Sequence, residues 1–311
     1  MKRMIERDGS IYRTCRIPGL VRTQRGTLLA YYECRRSMSD WADIDIKVIR
    51  STDEGKTWQT VKTICGHENT LNNPVMIVDS DRVHFLYCCN YRQLFACVSV
   101  DDGLTFSEPE EHTSTLEQVG FYNAAAIGPG HGIAHQGRLL VPAWFAFNRE
   151  NASAHRPSVI RVLYSEDAGH TWQLTDTLGS DLLINPSECA MAVTPTGRVA
   201  MSIRHENPLR QRAWSLSDSG IDGWEIIRFA PELPDPICQG SMASNASQVF
   251  HINCASEEKR VNLTLRIGQE RSILVDELGG YADIAATPNA VYVLYERNIG
   301  NDGLYFTRIA L

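Results

Sequence analysis

The chain has 311 residues, 43% of them hydrophobic and 22% charged, with a formal net charge of −7. That mixture suits a globular chain able to bury a full core, and its acidic balance argues against nucleic acid or an anionic membrane as partner. No apolar run approaches the roughly 18 residues of a membrane span; residues 1–8 carry charge without an apolar segment, and the nine cysteines lack metal-like spacing, so reduced thiols and a cytoplasmic location are expected.

In chain order, the first strand signal is Cys15-Arg16-Ile17-Pro18-Gly19-Leu20, an apolar run interrupted by one arginine. Residues 27–32 and 45–50 alternate or are β-branched, as strands require. They lead into Ser51-Thr52-Asp53-Glu54-Gly55-Lys56-Thr57-Trp58. Near-copies of that octapeptide follow at Ser99-Val100-Asp101-Asp102-Gly103-Leu104-Thr105-Phe106 and Ser165-Glu166-Asp167-Ala168-Gly169-His170-Thr171-Trp172. Each residue type suits a hairpin turn. The Asp carboxylate accepts from backbone N–H groups just downstream, Gly supplies positive φ, and the terminal aromatic wedges between sheets.

A fourth copy, Ser217-Asp218-Ser219-Gly220-Ile221-Asp222-Gly223-Trp224, keeps an Asp-x-Gly core, and Arg266-Ile267-Gly268-Gln269 stands about where a fifth would. The glycines Gly55, Gly103, Gly169 and Gly220 lie 48, 66 and 51 residues apart. Further strands are expected at residues 83–87, 138–144 and 290–295, with no long helical periodicity. Units of about 50 residues match the four-strand blade of a propeller. The expected fold is therefore all-β, a six-bladed β-propeller with four antiparallel strands per blade, in a single domain over residues 1–311.

Three arginines stand at strand ends in three separate units. Arg16 interrupts the first strand, Arg204 closes residues 199–203, and Arg260 opens residues 261–265. A propeller aims its inner strands at one axis, where converging guanidiniums repel unless an anion lies between them. Their planar forks suit a carboxylate.

With these residues in place, the chain resembles the sialidases (neuraminidases) of the microbial and animal exo-sialidase group over essentially its whole length. Arg-Ile-Pro near the start, together with several of these octapeptides, known there as Asp boxes, is that family's signature. The resemblance implies that Arg16, Arg204 and Arg260 grip the substrate carboxylate. It assigns the acid/base to Asp40, 24 residues after Arg16, and the base to Glu188, 16 before Arg204. Tyr281 matches the nucleophile, and Glu296, 15 residues on, the acid that pairs with the first arginine. Arg35 stands where a basic residue meets the substrate 4-hydroxyl. Asn73-Pro74 replaces the family's usual Asp-Pro there, and Cys15 replaces a usual aromatic.

The resemblance also places Gly128-Pro129-Gly130-His131-Gly132 beside the pocket and makes Trp41, Phe121 and Tyr122 candidates for an N-acyl subsite; packing roles are the competing reading of each. Asp43 and Asp45 are rivals of Asp40, with Asp45 read as structural. The implied activity is retaining hydrolysis of terminal α-linked sialic acids from a sialylated glycan, without cofactor or metal. Alternatives are a glycosidase on a related 2-keto-3-deoxy acid (Kdn or Kdo), a trans-sialidase or intramolecular variant, and an acidic-glycan-binding propeller without catalysis.

Overall fold

The computed structural model describes residues 2–7, 9, 11–268 and 270–311. Its secondary structure is β throughout, apart from one short helix among the described residues, Thr113–Glu117.

The strands form antiparallel groups of four. Thr14–Arg22, Leu28–Arg35, Ile44–Ser51 and Gln59–Ile64 make the first sheet. Leu71–Asp79, Arg82–Cys89, Gln93–Ser99 and Glu110–Glu111 make the second, to which Gly130–His131 adds in parallel. The third is Ala124–Ile127, Arg138–Ala146, Ser158–Ser165 and Gln173–Leu174, with Ile133–His135 also paired to Arg138–Ala146. Cys189–Val193, Val199–Ile203, Gln211–Ser217 and Arg228–Pro234 form the fourth.

The remaining seven strands, the last six and Arg3–Arg7, are continuous because one of them is shared. Glu270–Ala286 pairs with Val261–Ile267 through its first half and with Ala290–Arg297 through its second. The fifth group is thus Ser241–Ser244, Val249–Cys254, Val261–Ile267 and the start of the shared strand; the sixth is its end, Ala290–Arg297, Gly303–Ala310 and Arg3–Arg7.

Each sheet alternates side chains to both faces, so both faces must be covered. Separate cores do this between successive groups. Tyr31, Val48 and Phe85 fill the gap between the first and second, and Leu28, Tyr292 and Phe306 that between the first and sixth. The contact between the fourth and fifth is the sparsest, built on Ala190, Ala192, Ala200 and Met242. The leading strands also touch: Thr14–Arg22 packs on Leu71–Asp79 and on Glu270–Ala286, and Ser241–Ser244 packs on Cys189–Val193 and on Glu270–Ala286.

The octapeptides are the turns between third and fourth strands. In the first, Ser51 Oγ accepts from Gly55 N at 2.9 Å, and Asp53 accepts from Thr57 N at 2.9 Å and Thr57 Oγ1 at 2.7 Å. Glu54 and Gly55 adopt positive φ of 60° and 82°. The glycine is needed for contact as well as conformation: a Cβ at Gly55 would lie 2.1 Å from Phe306, at Gly103 2.5 Å from Leu29, and at Gly169 2.8 Å from His84. Each turn therefore docks on the neighbouring sheet. The fourth copy differs from its sequence reading. Ser219, not Asp218, holds the turn, accepting from Ile221 N and Asp222 N, while Asp218 points outward to Arg198. At the fifth position Gly268 makes a plain tight turn (φ 57°), and Gln269 lies outside the described residues.

Candidate active site

Three strands are bulged where a polar cleft opens. The ladder slips between Arg16 and Gly19, between Asn72 and Val75, and between Gly279 and Ala282. Ile17 and Asn73 take up positive φ of 55° and 53° there. A bulge re-aims the side chains beside it, and these turn Arg16, Asn73 and Tyr281 into one cavity of about 160 Å³. Arg35, Asp40, Glu188, Arg204 and Arg260 line the same cavity. The Asp boxes lie at the other end of the sheet: Ser51 pairs with Leu28, whereas Arg35 pairs with Ile44.

Glu296 sits beneath, 1% exposed, and holds four donors. Its Oε1 accepts from Arg16 Nε at 3.1 Å and Ile17 N at 3.0 Å; its Oε2 accepts from Tyr281 N at 2.9 Å and Arg16 Nη2 at 3.4 Å. A buried carboxylate persists only when so satisfied. Burial works against the Arg16 charge, but Glu296, with smaller help from Tyr281 and Asp40, raises its pKa.

Tyr281 is the centre of the second cluster. Its hydroxyl donates to Glu188 Oε1 at 2.6 Å and accepts from Arg204 Nη1 at 2.9 Å, and Arg204 Nη1 also pairs with Glu188 Oε2. The guanidinium carbons of Arg16 and Arg260 stand 5.1 Å and 5.6 Å from the Tyr281 ring centroid. Burial and then the Glu188 charge push the phenol well above its ordinary value, opposed by Arg204 and Arg260.

Asp40 stands across the cavity, its side chain 48% exposed. Arg35 Nη1 donates to its Oδ1 at 2.6 Å, and Arg16 Nη1 lies 3.9 Å away. Burial would raise this carboxyl, but the charge and hydrogen bond of Arg35, then Arg16, hold it below its ordinary value. Arg35 is itself fixed by Glu33, fully buried, which accepts from Arg35 Nε at 2.7 Å and Asn73 N at 2.8 Å. Asn73 therefore stands beside Arg35 through its backbone. Asp45 accepts from Tyr12, Arg36 and Gly66 N away from the cavity, a turn-holding role.

Other expectations fall elsewhere. Trp41 packs on Tyr91 and His155 behind the wall, Phe121 lies under Arg149 on the surface, and Tyr122 is buried against Phe145. None of the three lines the cavity. The loop from Gly128 to Gly132 borders a different cavity, where His131 Nδ1 meets Asp283 Oδ1 at 2.8 Å. Its glycines allow close approach: Gly130 O accepts from the Tyr31 hydroxyl at 2.9 Å.

Sequence reading missed one wall entirely. Tyr91, Trp144 and His155 form an aromatic corner, with His155 5.1 Å from each of the other two rings. Beside it Glu206 accepts from Arg156 at 3.1 Å and from Asn185 at 2.9 Å. Trp144 lies on Arg138–Ala146, but Tyr91, His155, Arg156, Asn185 and Glu206 come from turns and loops without a repeat to register them, so no periodicity points to this wall. Glu33 alone had a signal: a carboxylate two residues before Arg35 inside an apolar strand.

An all-β scaffold of four-stranded sheets that gathers Arg16, Arg35, Arg204 and Arg260 with Asp40, Glu188 and the buried Tyr281 defines a highly charged cleft on a repeat protein. The family model of the BNR repeat-like domain matches residues 62–274, and the chain belongs to that family. It is 26% identical to an exo-alpha-sialidase of Arthroderma benhamiae, over 96% of this chain and 75% of that one. To a sialidase of Bacteroides fragilis it is 25% identical, over 92% of this chain and 60% of the other. Among solved structures, the Hadza microbial sialidase Hz136 superposes with a TM-score of 0.81 at 23% identity, covering 97% of this chain and 66% of that protein. The chain thus spans about two thirds of the length of these relatives.

Proposed function

We propose that the protein is a glycoside hydrolase, a retaining exo-α-sialidase that releases terminal α-linked sialic acid, with its six strand groups arranged as the blades of a six-bladed propeller. The observation that carries the reading is the 2.6 Å bond from the Tyr281 hydroxyl to Glu188, set below a cavity ringed by Arg16, Arg204 and Arg260. An acid-binding module needs the arginines but has no use for a buried phenol paired with a base. The sialidase relatives support the substrate class. The ring is supported by the contacts among leading strands and by Arg3–Arg7 completing the last group.

In this mechanism the substrate carboxylate lies against the three guanidiniums, with Arg16 anchored by Glu296. That carboxylate is attached to the anomeric carbon, so a carboxylate nucleophile would meet like charge at close range. A neutral phenol does not, and sialidases depart from the two-carboxylate glycosidase scheme in this way. Tyr281 attacks as Glu188 takes its proton. Asp40 protonates the departing aglycone oxygen, then deprotonates the water that resolves the glycosyl-tyrosine. Two inversions leave the configuration retained.

Asp40 must carry a proton for the first step, although Arg35 and Arg16 hold it low in the empty site. A substrate carboxylate on Arg16 offsets one of those charges, and an aglycone covering Asp40 removes water. Both raise its pKa.

The test is hydrolysis of a fluorogenic sialoside by wild type and Tyr281→Phe, with NMR of the first anomer released. Rapid release of the α-anomer by wild type alone is expected. Activity only on Kdn or Kdo glycosides would overturn the substrate; release of the β-anomer first would overturn retention. Retention of sialic acid on a column without turnover would leave a binding protein.

A further inference from the structure

The contact between the fourth and fifth sheets is built differently from its neighbours. Elsewhere an Asp-box glycine presses onto the adjoining sheet, and bulky side chains fill the core behind it. The fifth sheet turns at Gly268, where an added Cβ would find only Gln248 Oε1, 3.8 Å away. The core there is three alanines and Met242. A cavity of about 310 Å³ remains at this place, with Gly268 in its wall and no residue in common with the catalytic cavity.

The cavity holds a charge that the fold does not use. Arg266 lines it from Val261–Ile267 and is only 8% exposed, yet its side chain forms no hydrogen bond or ion pair among the described residues, and its Nε is buried and unpartnered. Its cross-strand neighbours are His251 and Arg271, neither of which is an anion. His251 is buried and held well below its ordinary pKa by burial and by Arg212 and Arg266, so its imidazole is neutral. The remaining walls are mostly apolar or aromatic, Trp214 and Phe229 from the fourth sheet with Leu233 and Val249 beside them; the exposed Arg228 and Glu232 also line the cavity, and the Glu232 charge reaches Arg266 without forming an ion pair with it. A buried guanidinium without a directly bonded anion is costly, and structural arginines are normally paired. Arg212 in the same region shows the ordinary solution, bonded to Asp235, Ser202 and the Cys238 carbonyl.

We propose that this cleft is a second ligand site that takes a small carboxylate with an apolar or aryl body. The carboxylate would lie on the Arg266 fork and the body between Trp214 and Phe229. One guanidinium matches one planar monoanion; the apolar walls and the volume, at the low end for ligand pockets, match a compact hydrophobic body.

The experiment is a ¹⁹F NMR titration of the whole protein with 4-(trifluoromethyl)benzoate and, separately, with the neutral 4-(trifluoromethyl)benzamide. Saturable binding of the benzoate, about tenfold tighter than the amide and weakened about tenfold by Arg266→Met, is expected because a charge-assisted pair is lost in each case. Arg260→Met separates this site from carboxylate capture in the catalytic cavity: binding that disappears there and survives in Arg266→Met overturns the proposal. So does equal binding of acid and amide. Trp214→Leu gives an independent reading, since it should weaken the benzoate without touching the charge; unchanged affinity overturns the site. The melting temperature of Arg266→Met adds a check, because relieving an unpaired buried charge leaves it at or above wild type. A marked fall would make Arg266 a structural residue.

Discussion

The Tyr281 hydroxyl donates to Glu188 Oε1 at 2.6 Å while Arg204 Nη1 contacts both partners. In the proposed mechanism the phenol and its proton acceptor are thus aligned before substrate arrives, and the cation that would offset the developing phenolate is already in place. Such preorganisation avoids rearrangement during the reaction.

Tyr281→Phe removes the proposed nucleophile and keeps the ring under Arg16 and Arg260. Turnover of a fluorogenic sialoside should fall by about three orders of magnitude or more. Calorimetric binding of free sialic acid should change by less than about tenfold. A variant that keeps a tenth of wild-type turnover would remove Tyr281 from the mechanism.

Glu296→Gln tests the anchor of the first arginine. Four donors meet this carboxylate, so an amide leaves at least one of them facing another donor. Breaking a buried pair costs roughly 3–5 kcal/mol, readable as a lower urea midpoint. kcat/KM should fall together with it, because Arg16 and the backbone of Tyr281 share the same anchor.

The pH profile tests Asp40. If Asp40 is the proton donor, as proposed, it limits activity on the alkaline side, and Arg35 holds its pKa down. Arg35→Gln combined with Glu33→Gln removes that charge without leaving the buried Glu33 carboxylate unpaired. The Asp40 pKa then rises, and the alkaline limb of kcat/KM should move to higher pH. A limb that stays fixed or moves down would assign it to another group.

The Asp boxes make stability depend on acid pH. The N–H and hydroxyl of Thr57 draw Asp53 down to about 2, and Thr171 does the same for Asp167. At Asp101 burial opposes the shift, but the matching bonds from Thr105 still bring it to about 2. Because the folded values lie below the ordinary 3.8, these groups contribute fully above that pH. Their contribution is lost as pH falls through about 2, since the unfolded chain then binds more protons. Thermal melts of the triple Asp→Asn variant should start lower at pH 7 and lose less on acidification than wild type.

Much of this was legible because repeats carry registration. The spacing of Gly55, Gly103 and Gly169 announced four-stranded units, and Asp53 and Gly55 announced the turn, to which the structure adds the bonds of the Ser51 and Thr57 hydroxyls. Arg16, Arg204 and Arg260 could be picked out because a lone arginine in or beside an apolar strand is conspicuous. What escaped detection depends on three-dimensional coincidence. Trp144 reads as strand core until His155 arrives from a loop, and Asp218 looks like a box aspartate until Ser219, one residue closer to the shortened turn, takes the bonds. Aromatics such as Tyr122 were ambiguous for the opposite reason: packing and pocket lining call for the same side chains.

Glu296 has a further effect through its position in the chain. It joins the bulge at Arg16 and Ile17, near the beginning, to Tyr281 and its own strand, near the end. During synthesis, a ribosome that has released the first five strand groups still presents Arg16 without its anchor, so the pocket cannot mature gradually as the sheets accumulate. Enzymatic competence would appear in one late step, when residues 279–297 dock on residues 14–22. Recovery of turnover after dilution from denaturant would then time that closure rather than the earlier assembly of individual sheets.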